Sequence, residues 1–285
     1  MSHHHDADEV HEHDLGLSHD LPTVLNRRRA LGLMSATGLA AALAACGASD
    51  SSGTTSTRTQ GGPPSGGGGS ESTVEVADGE IPEETAGPYP GDGSNGVNVL
   101  TESGIVRQDI TSSFGTASGV AAGVATTVAL TIIDMNGGEV SPLAGAAVYL
   151  WHCDQEGRYS LYDDAIKDEN YLRGVQVADA DGKLSFTTIF PAAYSGRWPH
   201  IHFEVYQDEK SATSGTNKLR TSQLAIPEDA CNAVFATSGY EASVQNMQQT
   251  SLDSDNVFSD GYSLQLAKAS GSVSKGYTLS LNVAV

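Results

Sequence analysis

From residue 80 onward, apolar and polar positions alternate in short runs bounded by turn residues. The run VATTVALTIIDMNG is β-branched and ends at Asn136-Gly137-Gly138, a turn signal. LAGAAVYLWHCD follows as a second strand. Asp181-Gly182 opens a hairpin-like turn before KLSFTTIF, where Leu184, Phe186 and Thr188 alternate with Ser185 and Thr187. HIHFEVY is the next strand, and SLQLAKASGSVSKGYTLSLNVAV reads as two strands around a Gly/Ser turn. Helical patterning is scarce: PEDACNAVFATSG holds one short helix begun at Pro227. Short strands at this spacing predict an all-β fold, a β-sandwich of mostly antiparallel strands with long loops and little helix. Residues 80–285 carry no internal repeat and read as one domain.

Composition and charge narrow the partners. The chain has 285 residues and a formal net charge of −20. Nucleic acid, which needs a basic patch, is excluded as a partner. Six of the nine histidines lie in the first twenty residues, so His152, His200 and His202 are the only ones left for the body of the chain.

The first 79 residues have a different composition. Arg27, Arg28 and Arg29 precede the apolar stretch ALGLMSATGLAAALAAC, which is short and rich in Ala and Gly. NRRRALGLM resembles a twin-arginine signal, and Leu43-Ala44-Ala45-Cys46 resembles a bacterial lipobox. Residues 1–45 are therefore expected to be a signal peptide, with Cys46 lipidated as the new N-terminus. Loss of residues 1–45 removes six acids and three bases and takes the formal charge from −20 to −17. Residues 46–79 form a Gly/Ser-rich tether, whose roughly 30 residues reach about 30 Å r.m.s.. The expected location is outside the bacterial cytoplasmic membrane, held to it by the lipid alone.

The stretch RWPHIHFEVY carries the first candidate chemistry. On a strand, His200 and His202 point to one face, and their ring nitrogens can converge on a metal. Glu204 shares that face and is available as a third ligand for zinc, copper or an iron(II) triad. A cupin-like site places its Glu further on, so that match fails. Tyrosines open another route. Tyr159 follows Gly157-Arg158, and Tyr194 lies in FPAAYSGRW. Iron(III) is hard and highly charged, and a phenol bound to it becomes phenolate. Two phenolates and two imidazoles leave a single positive charge on iron(III), which a hydroxide can cancel.

These segments resemble the intradiol ring-cleavage dioxygenases. The resemblance runs through ETAGPYP (84–90), VRQDI (106–110), GAAVYLWHCDQEGRYSLYD (145–163), LRGVQVADADGKLSFTTIFPAAYSGRWPHIHFEV (172–205) and TSQLAIPED (221–229). It is strongest to exported, lipoprotein-like single-domain members. The resemblance implies one non-haem Fe3+ per chain, held by Tyr159, Tyr194, His200 and His202. It implies that Tyr194 leaves the metal when substrate arrives. It further implies that Arg197 stabilises negative charge on the ring and that Gln223 lies close to metal and substrate. The implied partners are a small aromatic diol and O2, and the implied product is a cis,cis-muconate. The sequence departs from the family between Tyr194 and His200, where only five residues intervene. That shortening predicts a more open substrate pocket. A non-catalytic β-sandwich binding lipoprotein and a zinc or copper protein using the HxH pair are the alternative readings.

The remaining residues have humbler expectations. His152 reads as a hydrogen-bonded structural histidine. Tyr89 either lines the pocket or packs a turn. Asp154, Glu156, Asp163 and Asp164 read as a solvated acidic face. Cys153 and Cys231 are the only body cysteines, and in an exported protein they are expected to pair.

Overall fold

The computed structural model describes residues 79–135 and 139–285. The signal peptide, Cys46, nearly all of the tether, and the Asn136-Gly137-Gly138 turn lie outside the described residues.

Two sheets form the sandwich. The first contains β1 (Ala125–Asp134), β2 (Ser141–Pro142), β5 (Lys183–Ile189), β8 (Lys268–Ser272) and β9 (Gly276–Ala284). Its order is β2-β1-β9-β8, with β5 also paired to β1. The second contains β3 (Ala147–Trp151), β4 (Arg173–Val177), β6 (His200–Tyr206) and β7 (Arg220–Ala225), in the order β4-β3-β6-β7. Every pairing in the second sheet is antiparallel. In the first sheet β1 and β9 run parallel. Two short helices, α1 (Glu228–Phe235) and α2 (Glu241–Met247), follow β7. Pro227 stands at the N-cap of α1, as its fixed φ allows, but α2 carries no comparable signal in the sequence.

Alternation explains the core. Val128, Leu130 and Ile132 of β1, Phe186 of β5, and Leu279 and Val283 of β9 face Val148, Leu150, Ile201, Phe203 and Val205 of the second sheet. The second sheet is buried on its other face too. There Tyr149, Trp151, Val175 and Tyr206 pack under Val99, Leu100, Ile105 and Tyr159 from irregular segments. β6 is therefore buried at all seven positions. Its odd-numbered residues fill the sandwich interior, and His200, His202, Glu204 and Tyr206 lie beneath the irregular roof. A polar strand face protected from water is the physical setting of the site.

The Asp181-Gly182 turn is a corner between sheets, not a hairpin. β4 belongs to the second sheet, whereas β5 pairs with β1 in the first. Ile132 N donates to the Gly182 carbonyl at 2.7 Å, and a Cβ on Gly182 would come within 2.4 Å of the Ile132 carbonyl oxygen. With φ at +74°, only glycine suits this position.

The expected disulfide is not formed. Cys153 and Cys231 are free and buried. They belong to different hydrophobic clusters, and each sulfur faces a backbone carbonyl, Ala192 O at 3.7 Å and Ile226 O at 3.9 Å. Burial raises both thiols above their ordinary range.

Candidate metal centre

Four side chains meet under the roof. His200 Nε2 and His202 Nε2 are 3.0 Å apart. Tyr194 Oη lies 3.0 Å from His200 Nε2, and Tyr159 Oη lies 3.4 Å from Tyr194 Oη. The structure thus brings together the four residues expected from the sequence.

The four side chains arrive by three routes, both histidines on β6 and each tyrosine on its own segment. Trp151 opposes His202 in the β3–β6 register, and their rings stack at 5.0 Å with an interplanar angle of 5°. Tyr159 sits just past the end of β3, on a turn organised by Asp154. The Asp154 carboxylate accepts from the backbone N–H of Glu156 and Arg158, and from Arg158 Nε at 2.9 Å. The Asp154 carbonyl also accepts from Ala192 N at 3.1 Å, linking this turn to the segment that carries Tyr194. Asp154 is buried, in contrast to the solvated role expected for it, because this loop needs its acceptors. Tyr194 is held from below by α2. Ser243 Oγ accepts from Ala193 N at 3.0 Å, and Asn246 Nδ2 donates to Ala193 O at 2.9 Å.

The donor set fits a cation. His200 Nδ1 donates to the Trp198 carbonyl at 2.5 Å, which leaves its Nε2 as a bare lone pair. That lone pair is aimed at a second imidazole nitrogen and a phenol oxygen within 3.0 Å. Ligands held about 2 Å from one metal ion are spaced about this far from one another. Burial, and then the Arg197 charge, pushes His200 down to about 3. Burial also pushes His202 well down and both tyrosines up. Without a cation the four groups would be neutral. A highly charged metal would favour the two phenolates and use both neutral imidazoles.

Arg197 and Gln223 stand beside the cluster. Arg197 Nη2 donates to Gln223 Oε1 at 2.6 Å, and Gln223 opposes His202 in the β6–β7 register. Gln223 Nε2 donates to the Thr85 carbonyl at 2.9 Å, which ties the 84–90 segment to the site. Two residues on, Gly87 approaches the His202 ring so closely that a Cβ there would touch Cε1 at 3.5 Å. Tyr89 packs against Tyr159 at 4.9 Å between ring centroids and so forms part of the wall.

Glu204 is engaged elsewhere. Its carboxylate accepts from Tyr206 Oη at 2.6 Å and Thr221 Oγ1 at 3.3 Å, and pairs with Lys218 at 3.4 Å. Burial pushes its pKa up to about 7. The HxH-plus-Glu204 site for zinc or copper is therefore set aside, because the glutamate's acceptors are already used. His152 is structural, as expected. Its Nδ1 donates to the Cys153 carbonyl at 2.8 Å, and its Nε2 accepts from Thr188 Oγ1 at 2.7 Å.

Two residues that matter here drew no notice in the sequence. Arg173 is 1% exposed and donates to the carbonyls of Tyr89, Pro90 and Ser160, each at 2.9 Å. It thereby clamps the Tyr89 and Tyr159 segments together. Asp255 is fully buried and accepts from Arg197 Nε at 3.0 Å. Arg173 lies in the 172–205 stretch but was given no role there, Asp255 lies outside every quoted stretch, and both act across long chain separations.

Comparison with known proteins agrees with this architecture. Residues 102–203 match the family model described as Dioxygenase. A catechol 1,2-dioxygenase 2 of Acinetobacter lwoffii is 39% identical over 111 residues, covering 33% of this chain and 38% of the relative. A chlorocatechol 1,2-dioxygenase of Pseudomonas sp. (strain P51) is 36% identical over 86 residues, covering 24% of this chain and 34% of the relative. The chain thus spans about a third of the length of these curated relatives. The fold is similar to that of an intradiol ring-cleavage dioxygenase from Tetranychus urticae, with a TM-score of 0.51, 24% identity, and coverage of 63% of this chain and 86% of that one. Residues 102–203 thus resemble the dioxygenase family, and the described fold is similar to that of an intradiol ring-cleavage dioxygenase.

Proposed function

We propose that the chain is a non-haem iron(III) dioxygenase that cleaves a catechol-type ring between its two hydroxyl-bearing carbons, using O2, to a cis,cis-muconate-type product. The observation that carries this reading is the convergence of Tyr159, Tyr194, His200 and His202, with Arg197 and Gln223 beside them. Bound iron(III) would draw electron density from a chelated catechol and ready its ring for oxygen. The protein's part is to bind, orient and move protons. Tyr159, His200 and His202 hold fixed positions in a buried layer. Tyr194 is less buried and is flanked by exposed Ser195 and Gly196, so it is the phenol free to swing out. Held as a phenolate by bound iron, Tyr194 would be the group to take one catechol proton. Arg197 keeps a positive charge in this dry layer and favours negative charge on the ring.

Three measurements on the purified chain test the reading. Iron analysis should give about one iron per chain, and a broad visible band should report phenolate ligation. O2 consumption should follow addition of catechol. A chain that stays colourless after iron loading would sink this function.

We further infer a lipid anchor at the N-terminus, whose residues 1–45 read as a signal peptide ahead of Cys46. Lipidation at Cys46 anchors the enzyme outside the cytoplasmic membrane. Membrane fractionation checks it: the parent should pellet with membranes, and a Cys46→Ala variant should not. Among the described residues no helix is long and apolar enough to cross a membrane.

A further inference from the structure

Asp255 lies 58 residues beyond Arg197 in the chain. Its two carboxylate oxygens face in different directions. Oδ1 accepts from the backbone N–H of Val257 at 2.8 Å and Phe258 at 3.3 Å. Val257 and Phe258 are core residues, so this oxygen fixes the carboxylate to a rigid loop. Oδ2 accepts from Arg197 Nε at 3.0 Å and Trp198 N at 2.6 Å. On its far side the same guanidinium donates from Nη2 to Gln223 Oε1 at 2.6 Å. Two of its three nitrogens are therefore held by buried acceptors anchored on separate elements. A planar guanidinium held at two corners has a set orientation.

Stability alone accounts poorly for this arrangement. A buried ion pair recovers little of its desolvation cost. Its more specific consequence is geometric, since Arg197 is the cation beside the metal ligands.

We propose that Asp255 is the positioning residue for Arg197, holding its guanidinium in one orientation against Gln223 and the metal-ligand cluster. This rests on the dioxygenase reading for its catalytic consequence, but not for its geometry. Asp255→Asn keeps the size of the side chain and removes the charge. In the full iron-loaded chain it should lower kcat about a hundredfold, the usual scale for a misplaced catalytic group. KM should change by no more than about threefold, because the interaction serves the reacting state. Iron content and the visible band should match the parent, since no metal ligand is touched. Asp255→Glu keeps the charge and should fall between Asn and the parent. Arg197→Gln combined with Asp255→Asn should be no slower than Arg197→Gln alone, because both remove one function.

Three results would overturn the proposal: Asp255→Asn within about twofold of the parent kcat, multiplicative losses in the double variant, or a crystal structure of Asp255→Asn with Arg197 still on Gln223. If Asp255→Asn does not fold, Asp255→Glu carries the test. A kcat loss of about tenfold with an unchanged visible band supports the proposal, and no loss overturns it. A parent that turns over no catechol defeats the proposed function only. The Arg197 orientation in the variant crystals then decides the role of Asp255.

Discussion

His200 and His202 owe their shared direction to strand alternation, but the tautomer of His200 is set by the Trp198 carbonyl. That hydrogen bond leaves the ring with one bare nitrogen, the form that binding a metal requires. The two tyrosines differ in freedom: Tyr159 is 3% exposed and wedged between Tyr89 and His202, whereas Tyr194 borders solvent. Tyr194→Phe should therefore keep the fold and most of the iron, shift the visible band, and lower ring cleavage by about a hundredfold; spectra and O2 uptake on one sample check both. His202→Ala removes a ligand that nothing nearby can replace. Iron per chain should fall below about a tenth of the parent value after dialysis, as loss of an inner ligand exceeds the 10–100-fold effect of losing its supports.

Elements deliver the four side chains of the candidate site, and the least regular ones do the most positioning. β6 brings two histidines in register with Trp151 and Gln223. The tyrosines ride on segments outside the strands, one tied by Asp154 and the other by α2. α2 has seven residues and little apolar surface of its own, yet Ser243 and Asn246 both bind the Ala193 backbone. Ser243→Ala should cost about 1–3 kcal/mol, because it leaves the buried Ala193 N–H without a partner. It should also weaken iron retention through Tyr194, while Asp154-linked Tyr159 stays in place; chelator competition and denaturant melts separate the two effects. At the corner between sheets, Gly182→Ala should destabilise by about 1–3 kcal/mol, read from the shift in denaturant midpoint.

For the molecule as a whole, acidity should act through the buried imidazoles His200, His202 and, most simply measured, His152. Burial lowers its pKa from 6.5 to about 4. Between pH 6.5 and 4 the unfolded chain binds the proton that the folded chain refuses, so stability falls as pH drops through this window. The loss is on the order of 3 kcal/mol. His152→Gln should be flatter than the parent across that range, and chemical denaturation at pH 4.5 and 7 checks it. The sandwich, strands β1, β3, β5, β6, β8 and β9, the α1 start at Pro227 and the grouping of Tyr159, Tyr194, His200 and His202 were legible in the sequence. Each is written locally, as alternation, as a backbone constraint or as a short motif of metal-binding residue types. The parallel β1–β9 pair, the corner at Gly182 and the separation of Cys153 from Cys231 were not, since strand order and distance between remote residues leave no local trace. Asp154 looked like any surface acid, and Asp255 and Arg173 like any charged residues. The tertiary structure alone buried them, and burial turned ordinary charges into the supports of the site, because a charge removed from water must find its partners within the fold.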